Sequence, residues 1–465
     1  LADLSNVQAI VARRSAREFF AVLLFRIGDP MAARAFLRQW TPSAPGGMAP
    51  EVAGEGALHF LFGWKGMERL LAGHPLLDVA RGRVEFESFF VDASHSADSL
   101  AMARQLGFHG DSAPEGWWGG GFKSGDIDIA VYGCFESDAH RTGEVERLRA
   151  SARRCRLEEL PVTAFPGEAL AGYRPPKGRL HFGYRDGLSE PAVDWADAGM
   201  AGGVNLREFI AGYPNADYPT APRAPGPWQD FAREGSYGCL TWLYQDVAGF
   251  NGFLRDHAAE AESAAGGADP QEWLAAKLMG RWRDGSPLSL HPGGQPAETV
   301  ADNEFGYADD PLGVKCPLTA HIRVVYPRDQ PLKFANRVRF PGGSPRLIRR
   351  GFSYGAPLAS AQDDGQDRGL VGLFFCGRVN EQFYTILRWM QLTDFSDAFR
   401  SIPDGRRRQD ALLGTRPDPN ANTAMHAPAN AGPPFAAPLT NFIRYRGVAV
   451  LFAPSLAALK ILSGA

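Results

Sequence analysis

The 465-residue chain has only five cysteines, Cys134, Cys155, Cys239, Cys316 and Cys376, widely scattered and with no Cys-x-x-Cys pair. An odd, dispersed set offers neither a disulfide framework nor a zinc knuckle, and free, mostly buried thiols are expected. Excess charge is missing as well: 49 Lys+Arg against 52 Asp+Glu leave a formal net charge of −3. Nothing here favours nucleic acid or an anionic membrane as a partner. The basic stretches, Arg147 to Arg156 and Arg406 to Arg408, are short and read as solvated helix faces and loops. The apolar run Gly447 to Ala453 is far below the ~20 residues a membrane-spanning helix needs. No two of the ten histidines stand three or four apart on a helix, so a multi-histidine metal site has no local support. The chain starts at Leu1, and a missing leader therefore leaves both a cytoplasmic and an exported location open.

What remains is an ordinary globular composition, 45% hydrophobic and 22% charged, with a length that suits two domains. Apolar β-rich runs at Phe19 to Phe25, Ala57 to Phe62, Val84 to Phe90 and Asp126 to Tyr132 predict strands in the first half, the last with one wet face. Helices are predicted at Met31 to Trp40 and Ala139 to Arg156. The pattern restarts with a strand at Gly235 to Tyr244 and a helix capped by Asp246. Further strands are predicted at His321 to Tyr326, Gly369 to Phe375 and Arg446 to Phe452, and a helix at Glu381 to Met390. Five prolines between Ala211 and Trp228 mark a joint, so the expected division is residues 1–228 and 229–465. The stretch Gly414 to Pro438 reads as a long loop and a candidate flap. The order of elements predicts two α+β domains with antiparallel sheets.

Some motifs carry nothing. Gly116 to Ser124 imitates a phosphate loop, but Phe122 separates its glycines from Lys123 and strand follows where a helix is needed. Ser94-His95-Ser96-Ala97-Asp98 holds triad residue types, yet a triad is assembled by geometry, not adjacency.

Two segments about 135 positions apart are different. The first is His181-Phe182-Gly183-Tyr184-Arg185-Asp186-Gly187-Leu188-Ser189-Glu190-Pro191. The second runs from Cys316-Pro317-Leu318-Thr319-Ala320-His321-Ile322-Arg323 to Arg349-Arg350-Gly351-Phe352-Ser353-Tyr354-Gly355. Asp186-Gly187 alone is a strong turn dipeptide, and a lone histidine is most often a packing residue. Read together, they supply an acid among glycines, a single imidazole and an arginine pair, which is the chemistry of a haem peroxide site.

The string Phe182-Gly183-Tyr184-x-Asp186-Gly187-x-Ser189-x-Pro191 resembles the signature of the dye-decolorising (DyP-type) haem peroxidases. Blocks at Gly235 to Phe250, Ala276 to Leu288, Asp302 to Pro311, Gly372 to Phe375 and Arg446 to Leu456 extend the likeness from about Phe182 to Leu456. It is weaker over the first 180 residues. The resemblance implies two ferredoxin-like domains and a haem b whose iron is held by His321. It implies Asp186 as distal acid/base, Arg349 as distal arginine in preference to Arg350, Arg328 and Arg323 near the propionates, and Leu373 and Phe375 as pocket walls. Asn380 aligns where many relatives place a carboxylate behind the ligand histidine. The implied activity is reduction of hydrogen peroxide, through an oxyferryl haem, at the expense of small aromatic electron donors such as dyes and phenols. A haem-handling protein with little turnover and a haem-dependent biosynthetic oxidase are the alternatives on the same fold. Homo-oligomer formation is left open.

Overall fold

Strand β1, Phe19–Ile27, carries seven buried residues among its nine, on both faces. That pattern requires cover above and below the sheet, not the single covered face of an open antiparallel sheet. The cover is a barrel interior on one side and helices on the other. The computed structural model describes the chain except for residues 1, 49–50, 52–53, 79–85, 87, 163–168, 215–226, 300–301, 331–332, 335–336, 339–343, 393–409, 416–423, 428 and 430–432.

In the first half, β1 lies between β3 (Ile129–Phe135) and β4 (Leu170–Tyr173), and β3 also pairs β2 (Ala57–Phe62), all antiparallel. In the second half, β5 (Ser236–Gln245) lies between β7 (Gly369–Cys376) and β8 (Ile443–Ala453), and β6 (Phe352–Tyr354) pairs β7. A short strand joins each set, Leu157–Glu159 on β1 and Ile348–Arg349 on β7, and the two five-stranded sheets then meet edge to edge. Phe452 of β8 pairs Phe62 of β2, and Ser353 of β6 pairs Tyr173 of β4. Closure of the ring leaves no long free strand edge in either sheet. This is an α+β fold with antiparallel sheets joined into one barrel.

Helices pack outside. In α1 (Pro30–Trp40), Asp29 accepts from the amides of Met31 and Ala32 and proline opens the first turn. Its buried stripe of Ala33, Phe36, Leu37 and Trp40 has the three-and-four spacing of a single covered face. Helices α2 (Asp138–Arg154) and α3 (Val247–Asp256) fall where they are predicted. No described helix is long and apolar enough to cross a membrane. All five cysteines are free, four of them buried.

Three expectations change. The alternation at Asp126 to Tyr132 does not mark a wet face, because β3 begins at Ile129 and is wholly buried. The buried Asp128 before it accepts from the Ile27 amide and pairs Arg69. Ser88–Val91 is helical, and much of the run from Val84 lies outside the described residues. Within the presumed flap, Ala424–Ala427 pairs Phe435–Pro438 as a hairpin, the residues around it lying partly outside the described set.

Candidate active site

A cavity of about 330 Å³ opens against the second sheet, walled by Thr241 and Leu243 of β5 and by Leu370 and Phe374 of β7. That volume is in the range of cofactor sites. Residues from both sequence segments meet in it: Asp186, Gly187 and Glu190 from the first, His321, Arg328 and Arg349 from the second.

His321 opens a five-residue helix, α4 (His321–Val325), not a strand. The β-branched run after it misled the reading, since a short apolar run cannot be told from a helix by periodicity. The change matters for Arg323. On a strand, residues 321 and 323 would share a face; on a helix they point apart. Ile322 and Val325 accompany His321 in the cavity, while Arg323 is 1% exposed and turned away. It pairs Asp310 at 2.9 Å and lies over the Tyr307 ring. Arg323 is therefore a structural ion pair and not a cavity residue.

The Nδ1 of His321 stands 2.8 Å from Oδ2 of Asp410, which is completely buried. The other carboxylate oxygen accepts the amides of Leu412 and Leu413, both at 2.9 Å. With Nδ1–H donated to a carboxylate, Nε2 keeps its lone pair for a metal. Asn380 has no part in this. It accepts from Arg388 and donates to Glu381, so the group behind His321 is a carboxylate and not an amide. Nothing in the local sequence marks Asp410, which lies 89 residues from its partner.

On the other segment, the Asp186 amide donates to Gly178. Gly187 holds a positive φ of +80°, and a Cβ there would come within 2.6 Å of a guanidinium nitrogen of Arg14. Only glycine suits both the conformation and the space. Arg14 thereby reaches Asp186 at 2.9 Å, a contact that sequence reading missed across 172 residues. Burial pushes the Asp186 carboxyl up, but the guanidiniums of Arg349 and Arg14, with the Gly187 amide, hold it below the usual carboxylate value.

Arg349 and Arg350 part company. In the short strand Ile348–Arg349, Arg349 sits opposite Phe374 and faces the cavity. Arg350 points into the first half, where it is 7% exposed, pairs Glu190 at 2.7 Å and donates to the Ile10 carbonyl. Of the expected walls, Leu373 lines the cavity together with Phe374, the residue opposite Arg349, while Phe375, paired with Ile348, is not part of the lining.

Several cavity arginines have no carboxylate partner among the described residues. Arg328 stacks over Phe305 at 3.7 Å, its Nε buried without a hydrogen bond. Arg281 is pushed down to about 10 by burial and then by Arg328. Arg346 lies over the Tyr326 ring. A cavity with apolar walls, a carboxylate-backed imidazole and surplus guanidinium fits an iron porphyrin with two anionic side chains.

No protein-family model matches the chain. It is 28% identical over 322 residues to the dye-decolorizing peroxidase msp1 of Mycetinis scorodonius, covering 63% of this chain and 58% of that protein. It is 31% identical over 308 residues to the multifunctional dye peroxidase DyP2 of an Amycolatopsis species, covering 61% of each. The chain thus spans less than two thirds of the curated relatives it matches. In fold the likeness covers everything: a fungal DyP-type peroxidase from Auricularia auricula-judae superposes over 100% of this chain and 99% of its own, with a TM-score of 0.77 at 20% identity. A dye-decolorizing peroxidase with an engineered heme pocket superposes with a TM-score of 0.76 at 19% identity. The chain thus resembles dye-decolorising peroxidases in sequence over part of its length and shares their fold along all of it.

Proposed function

We propose that the protein is a haem b peroxidase that reduces hydrogen peroxide and takes electrons singly from dyes and phenols. The observation that carries this is the meeting of Asp410-backed His321 with Asp186 and Arg349 in one apolar-walled cavity. Bound through His321, the haem would supply the redox-active iron at which the peroxide O–O bond breaks. The chain does the rest. Asp186, ionised, accepts a proton from one peroxide oxygen and delivers it to the other, a role worth roughly 10²- to 10⁴-fold in rate. A guanidinium is a fixed positive charge, and that of Arg349 stabilises the developing negative charge on the departing oxygen. Asp410 fixes the His321 proton on Nδ1. Arg328 and Arg346 are placed to meet carboxylates of the cofactor. Two protons and two electrons from the donors complete the conversion of one peroxide to two waters.

Mixing haem-loaded protein with one equivalent of peroxide, then with an anthraquinone dye, tests the reading. A rapid change in the Soret band followed by its return as dye bleaches is expected. A Soret band indifferent to peroxide would sink the proposal in favour of a haem carrier.

Two substitutions probe the neighbours. Asp410→Asn keeps the shape but weakens the acceptor, and haem affinity or peroxide reactivity should fall about 10- to 100-fold, measured by haem titration and stopped flow. Arg349→Leu should slow the reaction with peroxide while haem stays bound. A larger defect in Arg350→Leu, at equal thermal stability, would show that the wrong arginine of the pair has been chosen.

A further inference from the structure

A second and much smaller cavity, of about 20 Å³, lies inside the first half and shares Arg14, Arg174 and Gly351 with the large one. By this measure a water needs roughly 10 to 15 Å³, so the space takes one water or an ion slightly larger. Its charged lining is Arg13, Arg14, Arg174 and Arg350 with a single carboxylate, Glu51. The adjacent sequence Ala49-Pro50 and Val52-Ala53 adds no charge.

The arginines are hydrogen-bonded more than they are neutralised. Arg174 donates to the carbonyls of Ser15 and Ala16, and Arg350 to that of Ile10. Carbonyls satisfy donors without cancelling charge. Among the described residues, the acids within reach are Glu51, 3.6 Å from both Arg13 and Arg17, Glu190 on Arg350, Asp186 on Arg14 and Glu18, whose charge acts on Arg174. Five guanidiniums therefore face four carboxylates. Burial first, then like charge from Arg14, depresses Arg174.

Two buried nitrogens also lack hydrogen-bond partners. They are Nε of Arg13 and Nδ1 of His59, a residue 2% exposed in the wall of this cavity. Burial and the three nearby arginines hold His59 down at about 3, so its ring is neutral, and in the tautomer protonated at Nδ1 it has an N–H to give there. Tyr132 directs its hydroxyl to the Arg350 carbonyl. A water could take one of the free donors but would leave the surplus charge standing. A monovalent anion answers both.

We propose that this compartment binds one small inorganic anion of halide size, held by the Arg13 Nε–H, the neutral His59 ring and the surrounding guanidinium charge. Tetrahedral oxyanions are too large for the space. The site shares Arg14 with the active-site cavity, but its test needs no turnover.

Crystals of the haem-loaded protein grown with sodium bromide replacing chloride should show one anomalous peak between Arg13 and His59. The variant His59→Phe, which fills the space with an apolar ring, should lose that peak. In solution, replacing gluconate by chloride at constant ionic strength should raise the wild-type thermal midpoint and leave that of His59→Phe unchanged, as linkage requires of a ligand bound only when folded. A water without anomalous signal in the compartment, bromide at the surface as an adventitious ion only, or equal midpoints in the two salts would each overturn the proposal.

Discussion

His321→Ala is expected to abolish haem retention, the largest effect of any single substitution in this protein. Among the described residues, His321 is the cavity imidazole with a buried carboxylate on Nδ1 and a free Nε2. No described cluster of three or more His, Cys, Asp or Glu offers a substitute metal site. Haem added to the purified apoprotein should give the Soret band and the ferric ligand-field bands in wild type, and only the spectrum of loosely bound haem in the variant. Full occupancy with an unchanged ferric spectrum in His321→Ala would remove the assignment. Circular dichroism should match wild type, because the side chain is 21% exposed into the cavity and its loss leaves the barrel intact.

The second large effect is kinetic. Asp186→Asn should leave haem bound and cost about 10²- to 10⁴-fold in the single-turnover reaction with peroxide, since an amide cannot accept the proton. The pH dependence follows from the sign of the shift. The folded carboxyl titrates below its ordinary value of 3.8, so the base form persists as pH falls and is lost only below that value. Activity limited by this group should thus persist down through the ordinary carboxylate range of about pH 4, where a histidine base with a reference pKa of about 6.5 would already be protonated. The same sign makes the Arg14–Asp186 pair stabilising above the unfolded carboxylate pKa, with that contribution lost as pH falls through the folded one. Arg14→Leu removes one of the two cations that oppose burial, so its acid limb should move to higher pH. Stopped-flow traces across pH 3 to 7 decide the matter. Equal rates for wild type and Asp186→Asn throughout would leave Arg349 and solvent as the proton-handling machinery.

Much of this architecture can be read from the chain before any coordinates. Largely apolar runs such as Phe19–Ile27 and Ser236–Gln245 have one sensible fate, a strand covered on both faces. The Gly-x-x-Asp-Gly string announces Asp186 because its glycines serve backbone conformations that the site needs. Asp410 and Arg14 are invisible for the opposite reason: each acts through a partner that only the tertiary fold brings near, and neither stands in a patterned segment. Arg323 fails through a wrong period, since taking Ile322 to Tyr326 as strand turned it toward His321. Leu373 lines the cavity as expected, and Phe374 stands there in place of the expected Phe375.

The narrow seams of the barrel bear on how a cofactor comes and goes. Each half-sheet is held by long ladders, β5 with β7 through eight residue pairs, yet the halves meet through one paired residue at either junction. Tyr173 reinforces one junction by donating its hydroxyl to Gly355. The cavity draws Asp186 from one half and His321 from the other, so anything filling it clasps both. Amide exchange at Tyr173 and Ser353 should consequently be fast in the empty protein and slow in the loaded one. Release of the prosthetic group would then be timed by the parting of a hinge, with the sheets on either side still folded.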